Sequence, residues 1–107
     1  MTGQYTVIFT PRAERQLDDL YTYIADHSAE ERAQRFVGRI VDHCLNLATF
    51  PERGARRDDI RPNLRTTSYV RRVTVAYSVD ALTATVTILG VYYGGQDFER
   101  LLGGDED

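Results

Sequence analysis

The 107-residue sequence has no lysine and no tryptophan, one cysteine and two histidines, and no apolar run near the ~20 residues that a membrane span needs. The lone Cys44 excludes an internal disulfide, and its place in an apolar helical stripe predicts a buried, unreactive thiol. His27 and His43 have no metal-ligand spacing with Cys44, so we expect no metal site. No signal-peptide core opens the chain, which predicts a cytoplasmic protein without a membrane segment.

Because lysine is absent, every basic side chain is a planar, always-charged arginine, which can bind carboxylate or phosphate in a bidentate manner. Residues 1–52 hold five arginines and eight acidic residues. Residues 53–72 hold seven arginines and two acidic residues, and residues 73–107 hold one arginine and six acidic residues. The net charges of the three segments are therefore −3, +5 and −5. The middle segment predicts a surface for an anionic partner, and the alternative is a solvated basic face.

The first half of the chain reads as a strand followed by two helices. Alternation over residues 4–9 predicts a short strand with one apolar face. Thr10 is a favoured N-cap and Pro11 suits the first helical position, which predicts a helix. A capping box, Ser-Ala-Glu-Glu from Ser28, predicts a second helix that ends before Pro51. The two helices are expected to form a tight antiparallel hairpin.

The second half reads as a loop over residues 51–62 and then three strands, over residues 64–67, 69–79 and 84–93. The last strand is apolar on both faces, which predicts a central strand covered on both sides. Gly90 within it predicts a bulge or a close backbone approach, here by a helix.

A short helix over residues 98–102 completes the predicted fold. The fold class is α+β: an N-terminal strand, an antiparallel two-helix hairpin, a three-stranded antiparallel meander and a short C-terminal helix, with the hairpin on one face of a mostly antiparallel sheet. Residues 1–102 form one predicted domain. Residues 103–107 are polar and acidic, and we expect a disordered tail.

Three stretches carry a family resemblance: Tyr-Thr-Val-Ile-Phe-Thr-Pro from Tyr5, Leu-Ala-Thr-Phe-Pro from Leu47, and Ile-Leu-Gly-Val-Tyr-Tyr-Gly-Gly-Gln-Asp from Ile88. In this order, over roughly residues 4–102, the chain resembles the ParE branch of the RelE/ParE toxin superfamily. The resemblance implies a type II toxin–antitoxin system, in which a small antitoxin wraps the toxin with its disordered C-terminal part and neutralises it. It also implies a hetero-oligomer and no cofactor.

The resemblance implies one of two targets, because ParE-type members poison DNA gyrase whereas RelE-type members cleave messenger RNA on the ribosome. RNA cleavage needs a proton acceptor, a proton donor and cations that hold the phosphate. Arginine transfers protons poorly because its pKa exceeds about 12. Without lysine, Tyr92 or Tyr93 would act almost alone. We therefore expect a gyrase-binding toxin rather than an enzyme, with a ribonuclease or a non-toxic interaction module as alternatives.

Three sets of candidate residues follow. The catalytic candidates, for a ribonuclease, are Arg65, Arg72 and Tyr93. The candidates for target binding are the arginines of the basic segment: Arg56, Arg57, Arg61, Arg65, Arg71 and Arg72. Antitoxin binding is expected to use an amphipathic helix along the hairpin and an extended strand or acidic segment across the sheet and its arginine cluster. The candidate residues are Leu17, Leu20, Tyr21, Ile24, Phe36, Ile40 and Tyr69.

Overall fold

The computed structural model describes residues 4–94 of the chain. The bounds of its elements are β1 Thr6–Phe9, α1 Pro11–His27, α2 Glu30–Leu45, a 3-10 turn Asn46–Ala48, β2 Ala55–Arg56, β3 Leu64–Tyr69, β4 Val73–Asp80 and β5 Thr85–Tyr93. The predicted helix over residues 98–102 and the predicted tail over residues 103–107 lie outside the described residues. Neither α1 nor α2 is long and apolar enough to cross a membrane, as judged over residues 4–94.

The strands form one mixed sheet in the order β1-β5-β4-β3-β2. β1 runs parallel to β5, and all other neighbours are antiparallel. The predicted α+β class, with a helical pair and a mostly antiparallel sheet, is confirmed in outline. Two details differ: β2 lies in the segment predicted to be a loop, and the middle of the sheet is β4. β5 is still an interior strand, because β1 and β4 pair with its two edges.

The predicted start of the longer strand at residue 69 is wrong. Tyr69 is the last residue of β3, and it pairs with Val73 at the start of β4. Between them Val70 and Arg71 have φ values of 45° and 69°. Left-handed backbone cannot continue a strand, so the chain reverses at these residues. The turn was hidden because neither residue is a glycine, asparagine or aspartate, the usual signals of such a reversal.

The junction of the two helices departs from the predicted capping box. Thr10 behaves as expected, since its Oγ1 accepts a hydrogen bond from Ala13 N at 3.1 Å and caps α1. Ser28, however, is the C-cap of α1, and its N–H donates to Ile24 O at 2.8 Å. Ala29 occupies the N-cap of α2 and makes no side-chain cap. The capping-box prediction is therefore wrong, although both predicted helices are present.

The main core lies between the helical pair and one face of the sheet. Its buried members are Ala13, Leu17, Leu20, Ile40, Cys44, Leu47, Val73, Val75, Tyr77, Val86, Ile88 and Val91. Cys44 is buried as predicted, and burial raises the pKa of its thiol to about 12. A second cluster joins Leu64, Ala76 and Tyr92. Because side chains alternate along a strand, this cluster covers the opposite face, and β5 is buried on both sides as predicted.

Gly90 sits at an irregularity in the ladder between β4 and β5. Ile88 and Gly90 pair with successive residues of β4, so Leu89 is the extra residue of a β-bulge. Of the two predicted alternatives, a bulge or a close backbone approach, the bulge is confirmed. A Cβ at Gly90 would lie 2.6 Å from the ring of Tyr92, two residues along the same strand.

Candidate partner-binding surface

The six arginines predicted to bind a target divide into two groups. The loop arginines, at β2 and the start of β3, are Arg56, Arg57, Arg61 and Arg65. The turn arginines, between β3 and β4, are Arg71 and Arg72. At ~3.3 Å per residue, the part of β3 from residue 65 to residue 69 separates the groups by about 13 Å. The single basic surface expected from the charge count is therefore two surfaces.

Two of the loop arginines form ion pairs with acids of their own loop. Arg56 Nη2 lies 2.9 Å from Asp58 Oδ2, and Arg57 Nη2 lies 3.0 Å from Asp59 Oδ2. The N–H of Asn63 and the side chain of Arg56 lower the pKa of Asp58, and Arg57 lowers the pKa of Asp59. Much of the positive charge in this loop is therefore balanced locally.

Arg65 is engaged with the backbone of the preceding loop. Its Nη1 donates to Gly54 O at 2.9 Å and to Glu52 O at 3.3 Å. The N–H of Gly54 in turn donates to the hydroxyl of the buried Tyr77 at 2.8 Å. Arg65 and Tyr77 thus both hold the loop at Gly54, so Arg65 has a structural role.

An aromatic row crosses from the end of β5 over α2 to β3, and it consists of Tyr93, Phe36, Tyr69 and His43. Tyr93 meets Phe36 edge to face at 6.0 Å between ring centres, and Phe36 lies 6.2 Å from Tyr69. Tyr69 lies 5.4 Å from His43. Arg72 Nη1 donates to the Tyr93 hydroxyl at 3.4 Å, which joins a turn arginine to the row.

His43 was considered in the sequence only as a metal ligand, and its place in the aromatic row was missed. Burial, and then the charge of Arg53, lower its pKa, so the imidazole is neutral at neutral pH. Its Nε2 lies 3.3 Å from Thr67 Oγ1 on β3. Its position seven residues after Phe36, two helical turns along the same face, was the available signal. No group of three or more His, Cys, Asp or Glu residues within residues 4–94 could hold a metal ion.

The three catalytic candidates are not brought together. Arg72 and Tyr93 are in contact, whereas Arg65 lies among the loop arginines at the other end of β3. His43 is the one neutral imidazole in the aromatic row, and two rings of the row stand between it and Tyr93. The geometry offers a cation beside a phenol at one end of β3, with the third candidate at the other end.

A basic groove that the sequence did not reveal lies beside the aromatic row. It is an open cavity of about 420 Å³ lined by Ile24, Ser28, Arg32, Arg35, Phe36, Arg39 and Tyr93. Its three arginines are exposed, and none of them forms an ion pair within the described residues 4–94. The charge count hid them because residues 1–52 sum to −3. Their i, i+3, i+7 spacing on one helix was the signal.

An acidic groove lies on the other side of Tyr93. This cavity of about 340 Å³ is lined by Gln16, Asp19, Leu20, Tyr23, Val91 and Tyr93. Gln16 Oε1 accepts a hydrogen bond from the N–H of Val91 at 2.7 Å, which fixes α1 to β5 just after the bulge. Tyr93 is a wall of both grooves.

The candidates for antitoxin binding separate into buried and accessible residues. Leu17, Leu20 and Ile40 are only 8 %, 7 % and 0 % exposed, because the apolar stripes of the helices pack on the sheet. These three side chains therefore offer little surface to a partner laid along the hairpin, although Leu20 lines the acidic groove beside Tyr93. Tyr21, Ile24, Phe36 and Tyr69 are half-buried and accessible. Ile24 and Phe36 line the basic groove.

Several solved structures that are similar to this one come from toxin–antitoxin systems. The chain is similar to the chromosomal ParDE system of P. aeruginosa, with 22 % identity over 87 % of this chain and 99 % of that chain and a TM-score of 0.73. It is also similar to the RelBE2 toxin–antitoxin complex of Mycobacterium tuberculosis, with 24 % identity over 84 % of this chain and 98 % of that chain and a TM-score of 0.62. A double arginine-to-alanine mutant of E. coli RelE in the free state has 13 % identity over 94 % of each chain and a TM-score of 0.65. The protein therefore has the RelE/ParE toxin fold.

Within the proteins that share this fold, the amino-acid sequence identifies the family. A model of the ParE toxin of type II toxin–antitoxin systems, parDE, matches residues 7–98. The chain belongs to this family and is a type II toxin of the ParE/RelE superfamily. No curated protein matches it closely in sequence.

Proposed function

We propose that this toxin acts in the cytoplasm by binding DNA gyrase, so that DNA breaks accumulate, and that a cognate antitoxin neutralises it in a hetero-oligomeric complex. Membership of the ParE family supports the choice of gyrase. The observation that carries the proposal is the separation of the catalytic candidates. Arg65 lies among the loop arginines at the start of β3, whereas Tyr93 lies beside the other end of β3, about 13 Å away along the strand. The mode of action is then binding, without a cofactor.

The target-binding residues in this proposal are all six predicted arginines, on the two surfaces at opposite ends of β3, and they contribute unequally. Arg56 and Arg57 share their charge with Asp58 and Asp59, and Arg65 holds its own loop. Arg61, Arg71 and Arg72 are exposed and form no ion pair within residues 4–94. These three therefore supply most of the positive charge available to an acidic surface of the target.

A supercoiling assay tests the target. Purified protein is expected to inhibit gyrase and accumulate cleaved DNA, and to leave messenger RNA intact on translating ribosomes. Replacing Arg61, Arg71 and Arg72 together by Gln should weaken the inhibition. The matched control replaces Arg32, Arg35 and Arg39 by Gln, which removes the same charge from the helices and should leave the inhibition unchanged. Full inhibition by the first variant would remove these arginines from the target surface.

A ribosome-dependent ribonuclease is the second candidate, and one contact favours it. The Arg72 guanidinium touches the Tyr93 hydroxyl at 3.4 Å, beside aromatic rings on which bases can stack. Ribosome-dependent cleavage of messages with intact gyrase activity would replace the gyrase proposal with this one. A third candidate, a non-toxic interaction module, predicts normal growth when the protein is induced without its antitoxin.

A further inference from the structure

The turn between β3 and β4 carries an exposed apolar side chain at a cost to the fold. Val70 has a φ of 45° and Arg71 a φ of 69°, and left-handed backbone is unfavourable for β-branched residues above all. Val70 is 56 % exposed, so its burial offsets little of that cost. Folding alone would favour a glycine at this position. A strained residue that packs so little indicates a role outside the fold.

The turn is held on both sides, so that Val70 is presented in a fixed place. Tyr69 pairs with Val73 and closes the turn around three residues, and the ring of Tyr69 belongs to the aromatic row. On the side of β5, the N–H of Gly94 donates to the carbonyl oxygen of Arg72 at 2.9 Å. A tip that is ordered before it meets a partner loses little conformational freedom on binding, which favours affinity.

Two arginines follow Val70 directly. Arg71 and Arg72 are exposed, and neither forms an ion pair within residues 4–94. The contact of Arg72 with the hydroxyl of Tyr93 at 3.4 Å is to a neutral group and leaves its charge unbalanced. The sequence from residue 64 to residue 79 contains no acidic residue. The tip therefore combines one apolar side chain with two positive charges that are available to a partner.

The turn between β4 and β5, at the opposite end of the sheet, lacks this combination. Leu82 is 99 % exposed there, but the charged residue of that turn is Asp80, whose carboxylate accepts from the N–H groups of Leu82 and Thr83. A single exposed apolar residue is common on protein surfaces. The features that distinguish Val70 are its own backbone strain and the arginines beside it.

We infer that the β3–β4 turn inserts Val70 into an apolar pocket of DNA gyrase, and that carboxylates on the rim of this pocket pair with Arg71 and Arg72. This inference rests on the proposed function. It adds the part of the toxin that enters the target and the chemistry of the pocket that receives it. A convex, apolar tip with cationic flanks is complementary to a concave, apolar site with an acidic rim.

A protein pocket fits the tip better than the DNA that gyrase holds. Phosphates could pair with Arg71 and Arg72, but a phosphodiester backbone offers Val70 no apolar pocket. Side chains that wedge between base pairs are mostly larger than valine. The net charge of −3 also opposes the approach of this chain to a polyanion.

The affinity of the purified toxin for purified gyrase tests the inference. Val70→Thr keeps the size and the β-branch of the side chain and adds a hydroxyl, so it should raise the Kd about tenfold. Val70→Gly relieves the strain and removes the side chain, and it should raise the Kd at least as much. The matched control is Leu82→Asn, at the other exposed turn, which should change the Kd less than about twofold. Thermal unfolding checks that each variant is folded.

The kinetics of the complex separate the apolar contact from the charges. Val70→Thr should speed dissociation from immobilised gyrase and leave the association rate nearly unchanged. Arg71→Gln and Arg72→Gln combined should slow association and reduce its dependence on salt. Equal effects of these two variants on the association rate would contradict the insertion of Val70 into a pocket.

The binding of the unchanged toxin distinguishes a wrong target from a wrong contact. If this toxin does not bind gyrase, the proposed function is wrong and the inference falls with it. If it binds gyrase and both Val70 variants bind as tightly, the inference alone is wrong. If Val70→Thr weakens binding to the antitoxin, to a second copy of the toxin or to DNA alone, while gyrase binding is unchanged, the turn serves that partner and the inference is overturned.

Discussion

The hydroxyl of Tyr77 accepts a hydrogen bond from the backbone N–H of Gly54 at 2.8 Å, and this bond ties the loop before β2 to the middle of the sheet. Tyr77 is fully buried. Gly54 has no room for a side chain, since a Cβ would lie 2.5 Å from Thr66 O and 2.7 Å from the Tyr77 hydroxyl. The loop that carries Arg53 and Arg56 is thus anchored by a glycine and a phenol.

Tyr77→Phe is expected to lower the free energy of unfolding by about 1–3 kcal/mol, because the buried N–H of Gly54 loses its acceptor. Urea denaturation measures the change. Tyr21→Phe is the matched control: its hydroxyl meets Glu30 at 3.4 Å in an exposed position, and its loss should cost less than about 0.5 kcal/mol. Equal effects of the two substitutions would contradict the anchoring role of Tyr77.

Val70→Gly is expected to stabilise the protein by about 1 kcal/mol. Val70 has a φ of 45°, a backbone conformation that a β-branched residue adopts at a cost, and its side chain is 56 % exposed, so little packing is lost. Val70→Ala keeps the Cβ and should gain much less. Thermal unfolding of the three proteins checks the order, and destabilisation by the glycine would show that Val70 packs more than its exposure indicates.

Stability between pH 7 and pH 5 should depend on His43. Its pKa is lowered in the folded protein by burial and by Arg53, so the unfolded chain takes up the proton first as the pH falls below about 6.5. The free energy of unfolding therefore decreases over this range. His43→Gln should flatten that slope, and His27→Gln, at an exposed position, is the control. An unchanged slope in His43→Gln would contradict the lowered pKa.

The sequence predicted those parts of the fold whose signals are local. Thr10 at the start of α1 and the bulge beside Gly90 were found because the residue type and the conformation coincide. The β3–β4 turn was missed because Val70 and Arg71 adopt left-handed backbone against their own preference. Ser28 was misassigned because one serine can cap the end of a helix or the start of the next. Contacts across the whole fold decide such cases.

The candidate site was harder to predict because it depends on which charges find partners. A charge count places Arg56 and Arg57 in a basic surface, but their own loop supplies Asp58 and Asp59. The count could not show this, because it sums charge along the chain without geometry. It also hid the arginines of the basic groove within an acidic segment. A helical projection of α2 alone would have grouped them on one face.

A substitution at Tyr93 distinguishes a toxin that acts by binding from one that acts as an enzyme. Tyr93→Phe keeps the ring that packs edge to face on Phe36 and removes the hydroxyl that accepts from Arg72 at 3.4 Å. If the protein acts by binding, growth arrest and gyrase inhibition should change less than about threefold, because one long, exposed hydrogen bond contributes little. If the phenol transfers a proton in RNA cleavage, the rate should fall about 100-fold or more.

Induction in cells followed by parallel assays of DNA breaks and message integrity measures both outcomes, with Tyr23→Phe as the exposed tyrosine control. Loss of toxicity in Tyr93→Phe, with the fold and antitoxin binding intact, would contradict the binding mechanism.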